Sequence, residues 1–256
     1  RDLAAAVAAD LAARCRTGPA AGGGLVVVHD LGCGSGSMGR WLVPMLAGPQ
    51  HWVLHDRDPD LLALAAATLP TRTRDGAAVT VEARPGDVAR LTAADLSGAG
   101  LLAASALLDV LTRADVDAVA TACAGAGVPA LLTLTVVGRV DLAPEDPLDA
   151  VVATAFDAHQ RRAVAGPGLL GPDAVEVTTG AFARLGARVE VRPSPWRLGA
   201  GDAALAAQWL TGWVAAAAEQ DPELPADDYL ARRLAALATG GLDVTVHHAD
   251  LLVRWP

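Results

Sequence analysis

The chain has 256 residues, 52% of them hydrophobic and 19% charged, with a formal net charge of −9. That apolar content is ample for a buried core and excludes wholesale disorder, and the length suits one large domain or two small ones. All 20 basic residues are arginine, and Lys, Ile and Asn do not occur. Without lysine there is no Schiff-base chemistry, no pyridoxal-phosphate anchor and no Walker A motif, and the protein-kinase residue set is excluded as well. The acidic balance disfavours broad binding to phosphate backbones, so nucleic acid is not an expected partner. No apolar run approaches the roughly 18–20 residues of a membrane span. Cys15, Cys33 and Cys123 are odd in number, far apart and free of any CxxC pair, which excludes a disulfide scaffold and a cysteine zinc site and leads to the expectation of a cytoplasmic protein. The codon classes avoided point to a high-GC genome.

Taken in chain order, residues 3–16 read as an amphipathic helix, followed by a glycine-rich break at 17–24. The apolar, β-branched run at 25–31 predicts a buried strand, and GCGSGS leads from it into a helix that Pro44 kinks or stops. HWVLHD at 51–56 is a second strand. Pro59 then opens a helix with Asp58 as its N-cap. Alternation at 78–84 predicts a third strand ending in PGD, 101–111 a fourth running into a loop, and 128–137 a fifth after a glycine-ended helix. The C-terminal half offers helices at 146–164, 173–186, 202–220 and 226–238, with strands at 187–193 and 242–255. Strands alternating with helices argue for a parallel α/β sheet.

The segment Val28-His29-Asp30-Leu31-Gly32-Cys33-Gly34-Ser35-Gly36 carries the most information. An apolar strand ends in an acid, and alternating glycines then let the backbone turn sharply and let a ligand approach without Cβ obstruction. The helix behind them aims its N-terminus at the site, and Asp30 can accept hydrogen bonds from a ligand's ammonium group. DLGCGSG resembles motif I of the class I S-adenosylmethionine (SAM)-dependent methyltransferases, and the resemblance extends over residues 20–140. It implies a Rossmann-like α/β fold: a seven-stranded, mostly parallel sheet whose last strand is antiparallel. It also implies a SAM site formed by Asp30, Gly32, Cys33, Gly34 and Gly36. Further along, it implies Asp56 with Arg57 at the ribose, Asp87 with Val88 at the adenine, and Ser105 at the methionine moiety. Gly34-x-Gly36-x-x-Gly39 also matches the dinucleotide fingerprint, which keeps an NAD(P)-dependent oxidoreductase open as an alternative. A non-catalytic SAM-binding protein of the same fold is the other.

The fourth strand lacks the (D/N)PP(Y/F/W) tetrapeptide of amino-methyltransferases, so a small-molecule acceptor is expected, with S-adenosylhomocysteine as the product. Segments HQR, LLGPDA and SPWRLG resemble small bacterial methyltransferases without identifying an acceptor. Asp109, just beyond the fourth strand, and His159 are candidate catalytic groups. Gln160, Arg161 and Trp196 are candidate substrate contacts, an arginine being suited to a carboxylate or phosphate. Trp209 and Trp213, four apart on one helix face, suit either an aromatic acceptor or a core. His247-His248 lack a third ligand, so no metal is expected. The expected organisation is a single domain over 1–256, monomeric or homodimeric. Its cofactor-binding half lies at 20–140, and helical insertions at 141–186 and 198–240 roof the acceptor pocket.

Overall fold

The apolar strand runs of the N-terminal half assemble side by side. In the computed structural model, which describes residues 2–17, 24–163 and 166–256, β1 (Val26–Leu31) pairs in parallel with β2 (Gln50–Asp56) and with β4 (Leu101–Ser105). β2 pairs in parallel with β3 (Val79–Pro85), and β4 with β5 (Ala130–Ala143). β8 (Asp243–Arg254) runs antiparallel between β5 and β6 (Arg188–Pro193), giving the order β3-β2-β1-β4-β5-β8-β6. The sheet has eight strands among the described residues rather than the expected seven. The additional one, β7 (Trp196–Leu198), pairs with residues 244–246 at the start of β8. Its three residues are too few to give an alternating pattern in sequence.

Successive residues of each central strand face opposite sides, and the two faces are covered separately. Leu101 and Ala103 pack with α1 (Asp2–Thr17), α2 (Ser37–Leu42) and α3 (Pro59–Thr68). Leu102 and Ala104 pack with α4 (Arg113–Ala126) and α6 (Ala174–Arg184). Helix ends follow the local chemistry. Asp58 accepts hydrogen bonds from the Asp60 and Leu61 amides, Thr112 and Asp115 close a capping box, and Gly127 ends α4 in the left-handed conformation. Pro44 falls in the 3-10 turn at Val43–Met45 that follows α2. No helix among the described residues is long and apolar enough to cross a membrane. The glycine-rich break at 17–24 lies almost wholly outside the described residues, as does the Cys15 side chain.

A third core stands apart from these two. β5 and β8 run on beyond the neighbouring strands, with irregularities in their pairing at 132–135 and 136–140. Against these extensions and β7 pack α5 (Asp149–Gln160), α7 (Ala203–Gln220) and α8 (Ala226–Ala238), around buried Val152, Leu210, Trp213, Tyr229 and Val246. These helices form a cap. α6 does not join it: Val177, Ala181 and Phe182 are buried in the sheet's own core, so residues 174–184 cover the sheet and are no part of an insertion.

The cap is pinned by a buried ion pair. Arg233 on α8 is 4% exposed, forks onto the Asp149 carboxylate and donates to the Pro144 carbonyl at 2.8 Å. The Tyr229 hydroxyl donates to the same carboxylate at 2.6 Å. Asp149→Ala would leave the guanidinium buried without its counter-charge and is expected to cost about 3–5 kcal/mol in urea unfolding. Tyr229→Phe is expected to cost about 1.5–3 kcal/mol, a hydrogen bond to a charged group. Equal stability of Asp149→Ala and the parent would show that the pair carries no such weight.

A second buried pair joins the central strands. His29 of β1 and His55 of β2 stack at 5.2 Å, with His29 Nδ1 and His55 Nε2 3.0 Å apart. Burial lowers both imidazoles to about 4, helped by Arg84 near both, by His51 at His29 and by His29 at His55. The unfolded chain therefore takes up protons that the folded one refuses. Stability should be fully present above about pH 6.5 and fall as pH drops toward 4, by on the order of 3 kcal/mol for each ring. Urea midpoints at pH 7 and pH 4.5 read this, and His55→Phe should flatten the difference; an unchanged difference would refute the assignment.

Candidate cofactor and acceptor site

The end of β1 places an acid in the protein interior without a protein hydrogen-bond partner. Asp30 is fully buried, and neither of its carboxylate oxygens has a hydrogen-bond partner. Burial, reinforced by the Asp56 carboxylate, raises its carboxyl to about 8. Cys33 lies next to it, 5% exposed, its thiol pushed up to about 12 by burial and by the same two acids. It is an inert packing residue at neutral pH.

The glycines between Asp30 and α2 shape the space in front of it. Gly32 has φ +58°, and a Cβ there would stand 2.7 Å from the Leu107 side chain. Gly34 has φ +52° and no protein atom within 4 Å of where its Cβ would be, so the backbone borders open space. The loop is fastened to β2. The Gly34 amide donates to Asp56 Oδ2 at 2.8 Å, and the Cys33 amide donates to the His55 carbonyl at 3.0 Å. Asp56 Oδ1 accepts from the Asp58 amide at 3.0 Å. Asp56 thus fixes the two strand ends against each other, which sets the width of the site.

At the end of β3, Asp87 accepts from the Ala89 amide at 3.0 Å and pairs with Arg57 at 2.9 Å. Arg57 beside it holds its carboxyl below the usual range. Val88 is 6% exposed and packs in the sheet core with Leu96 and Leu102, so most of its surface serves the fold.

Beyond the strand ends lies a cavity of about 310 Å³. It is lined by Ser37, Met38 and Trp41 of α2, Ser105 of β4, Thr133 and Leu134 of β5, and Asp250 of β8. Leu134 has φ +55°, a left-handed conformation that costs a leucine on the order of 1–3 kcal/mol. It is held by its amide's 3.0 Å hydrogen bond to Asp250 Oδ1, which also accepts from the Ser194 hydroxyl at 2.6 Å. Asp250 was not among the residues anticipated from the sequence. The available signal was an acid interrupting the apolar end of the last strand.

A second cavity, of about 230 Å³, lies between the cap and the extensions of β5 and β8. Gln160, Trp196, Trp209 and Trp213 line it. The other anticipated acceptor-side residues stand elsewhere. His159 bonds to Glu219 of α7 at 3.0 Å and lines neither cavity, because its position on α5 turns it to the neighbouring helix. Arg161 forks onto Asp173 at 2.8 and 2.9 Å and is spent there. Asp109 lies in the 3-10 turn after β4 and lines neither cavity; burial raises its carboxyl, and its Oδ1 has no partner.

No protein-family model matches the chain, and no curated protein matches it in sequence. Solved structures do resemble it. A cyclopropane synthase of Mycobacterium tuberculosis aligns over 99% of this chain and 82% of its own, with a TM-score of 0.51 and 13% identity. A putative methyltransferase of Bacillus halodurans aligns over 97% and 99%, with a TM-score of 0.49 and 15% identity. A SAM-dependent methyltransferase of Geobacter sulfurreducens, solved with S-adenosylhomocysteine, aligns over 97% and 90%, with a TM-score of 0.41 and 16% identity. The parallel order β3-β2-β1-β4-β5 with an antiparallel strand set between β5 and β6, and the full-length match at a TM-score of 0.51, show that this chain has the class I SAM-dependent methyltransferase fold.

Proposed function

We propose that this protein transfers the methyl group of SAM to a small-molecule acceptor and releases S-adenosylhomocysteine. The observation that carries the reading is the Asp30 carboxylate, buried at the glycine loop with both oxygens unpartnered. A buried acid of this kind is costly until a cation meets it, and the α-ammonium of an amino-acid moiety is such a cation. Gly34 leaves the backbone open beside it, and Asp56 and Asp87 follow at the ends of β2 and β3, in the order that ribose and adenine require. A nicotinamide dinucleotide suits the site poorly. Its pyrophosphate is anionic and would face the Asp56 carboxylate at the glycine loop, and β8 interrupts the parallel sheet that such enzymes use.

When bound, SAM supplies a methyl group on a sulfonium whose sulfur keeps the electron pair as the methyl carbon takes one from the acceptor. The protein's part is to hold the acceptor in line and to exclude water. The cavity beside Ser105 gives the acceptor room, which favours catalysis over cofactor storage. Both hydrogen bonds to Asp250 fall on Oδ1, leaving Oδ2 to accept the proton of an acceptor O–H or N–H.

S-Adenosylhomocysteine binding at pH 7 should release close to one proton, because Asp30 is protonated before its cation arrives and ionised afterwards. Calorimetry in buffers of different ionisation heat measures this. Asp30→Asn should bind at least about tenfold more weakly, a loss of about 1.4 kcal/mol or more, and release none. Parent-like affinity in Asp30→Asn would remove the assignment. Gly34→Ala should keep the fold at a cost of about 1–2 kcal/mol for its left-handed backbone. It should also lower S-adenosylhomocysteine affinity by at least about tenfold, since the added methyl enters the open space. Affinity that survives this change would place the ligand elsewhere.

A further inference from the structure

The whole chain contains six Trp, two Phe and one Tyr, and four of these nine rings line the cavity between the cap and the strand extensions: Phe156, Trp196, Trp209 and Trp213. A sequence this sparing of aromatics has gathered nearly half of them at one place. Trp209 and Trp213 stack at 5.1 Å with 19° between their planes. Trp196 leans on His248 at 5.2 Å, and Phe156 on Trp213 at 6.4 Å. Flat walls of this kind favour a flat occupant by offset stacking.

The same cavity is lined by side chains with unmet hydrogen-bonding atoms. Gln160 Oε1, Trp213 Nε1 and His248 Nδ1 are buried without partners. Trp213 and His248 are only 3% and 8% exposed, so solvent does not satisfy them. Each such atom is costly when left without a partner. Together they offer one acceptor, one donor, and an imidazole nitrogen able to play either part. The polar side chains at the rim are already engaged: Arg139 forks onto Asp141 at 2.9 and 3.0 Å, and His247 bonds to Asp141 at 2.7 Å. Burial raises the carboxyl of Asp157, the one acid that lines this cavity.

Its size sets an upper bound. A dry cavity of about 150 Å³ takes benzene, so about 230 Å³ takes one ring with substituents or two fused rings. Its place in the fold sets the direction. Val246, His248 and Asp250 alternate along β8 onto one face; the first two line this cavity, and Asp250 lines the one beside Ser105. His248 and Asp250 are two residues apart, about 7 Å along a strand, so a ring held against His248 projects a substituent toward Asp250 and Ser105.

We infer that the methyl acceptor is a planar compound of one or two rings, bearing a hydrogen-bond donor and an acceptor, held among Trp196, Trp209, Trp213 and Gln160. The inference rests on the methyl-transfer reading for the role of the ring, but not for its binding. The probes are 4-quinolone and 7-hydroxycoumarin, with cyclohexanecarboxamide as a saturated compound that keeps donor and acceptor. Calorimetric titration of the full chain should show both ring compounds binding at least tenfold more tightly than the saturated one. Gln160→Leu and Trp213→Phe should each weaken ring binding at least fivefold while S-adenosylhomocysteine affinity stays unchanged. Trp213 belongs to the cap core, and if its variant does not fold, Gln160→Leu on the half-buried end of α5 decides alone. Equal binding of the saturated compound, no binding of either ring, or full affinity in Gln160→Leu would overturn the inference. Ring binding without S-adenosylhomocysteine binding would keep the ring site and remove its role as acceptor; S-adenosylhomocysteine binding without ring binding would keep the cofactor and remove the ring.

Discussion

One twelve-residue strand holds this molecule together in more than one sense. β8 hydrogen-bonds to β5 along one edge and to β6 and β7 along the other. Its C-terminal half completes the sheet and buries Leu251, Leu252 and Val253 in the two sheet cores, while its N-terminal half leaves the sheet and buries Val244 and Val246 in the cap. Because a strand is extended and cooperatively paired, it fixes the cap relative to the glycine loop without a hinge between them. The row Val246, His248, Asp250 then lies along both cavities, and the spacing between them is set by the rise of a β-strand.

Both ends of the site carry polar atoms that the protein does not satisfy. Asp30 stands unpartnered at the glycine loop, and Gln160, Trp213 and His248 stand unpartnered in the cap. Folded chains seldom leave such groups unmet. The surrounding packing offsets them: the valines and leucines of β1, β4 and β5 around Asp30, and the cap core pinned by Arg233 and Asp149 around Trp213. The left-handed Leu134 belongs to the same pattern, since Asp250 holds it in place between the two cavities. A rigid frame that stores unmet hydrogen-bonding capacity is preorganised for ligands that supply it.

How much was legible in advance depended on distance along the chain. The glycine loop could be read because its determinants are contiguous: an apolar strand, its terminal acid, and glycines at alternate positions. Asp56 and Asp87 could be placed because each ends a strand whose pattern is clear. Acceptor-side residues could not be sorted this way. His159, Gln160 and Arg161 are consecutive at the C-terminal end of α5, Arg161 being its C-cap, yet one faces Glu219, one lines the aromatic cavity and one pairs with Asp173. A helix rotates about 100° per residue, so neighbours in sequence face different surroundings, and nothing local says which surroundings those are.

By itself the sequence determined the alternation of strands and helices, the parallel sheet, the glycine turn and its acids, and the exclusion of lysine chemistry. These follow from local rules: hydrophobic period, capping residues, glycine's access to positive φ, and the presence or absence of a functional group. Tertiary structure alone decided that α6 covers the sheet while α5, α7 and α8 form a cap. It alone decided that β7 exists as an eighth strand, that Asp250 faces the cavity, and that Trp196, Trp209 and Trp213 meet Phe156 around one space. Each of these depends on residues far apart in the chain brought together by packing, and the hydrophobic period that marks a buried face does not say which distant partner covers it.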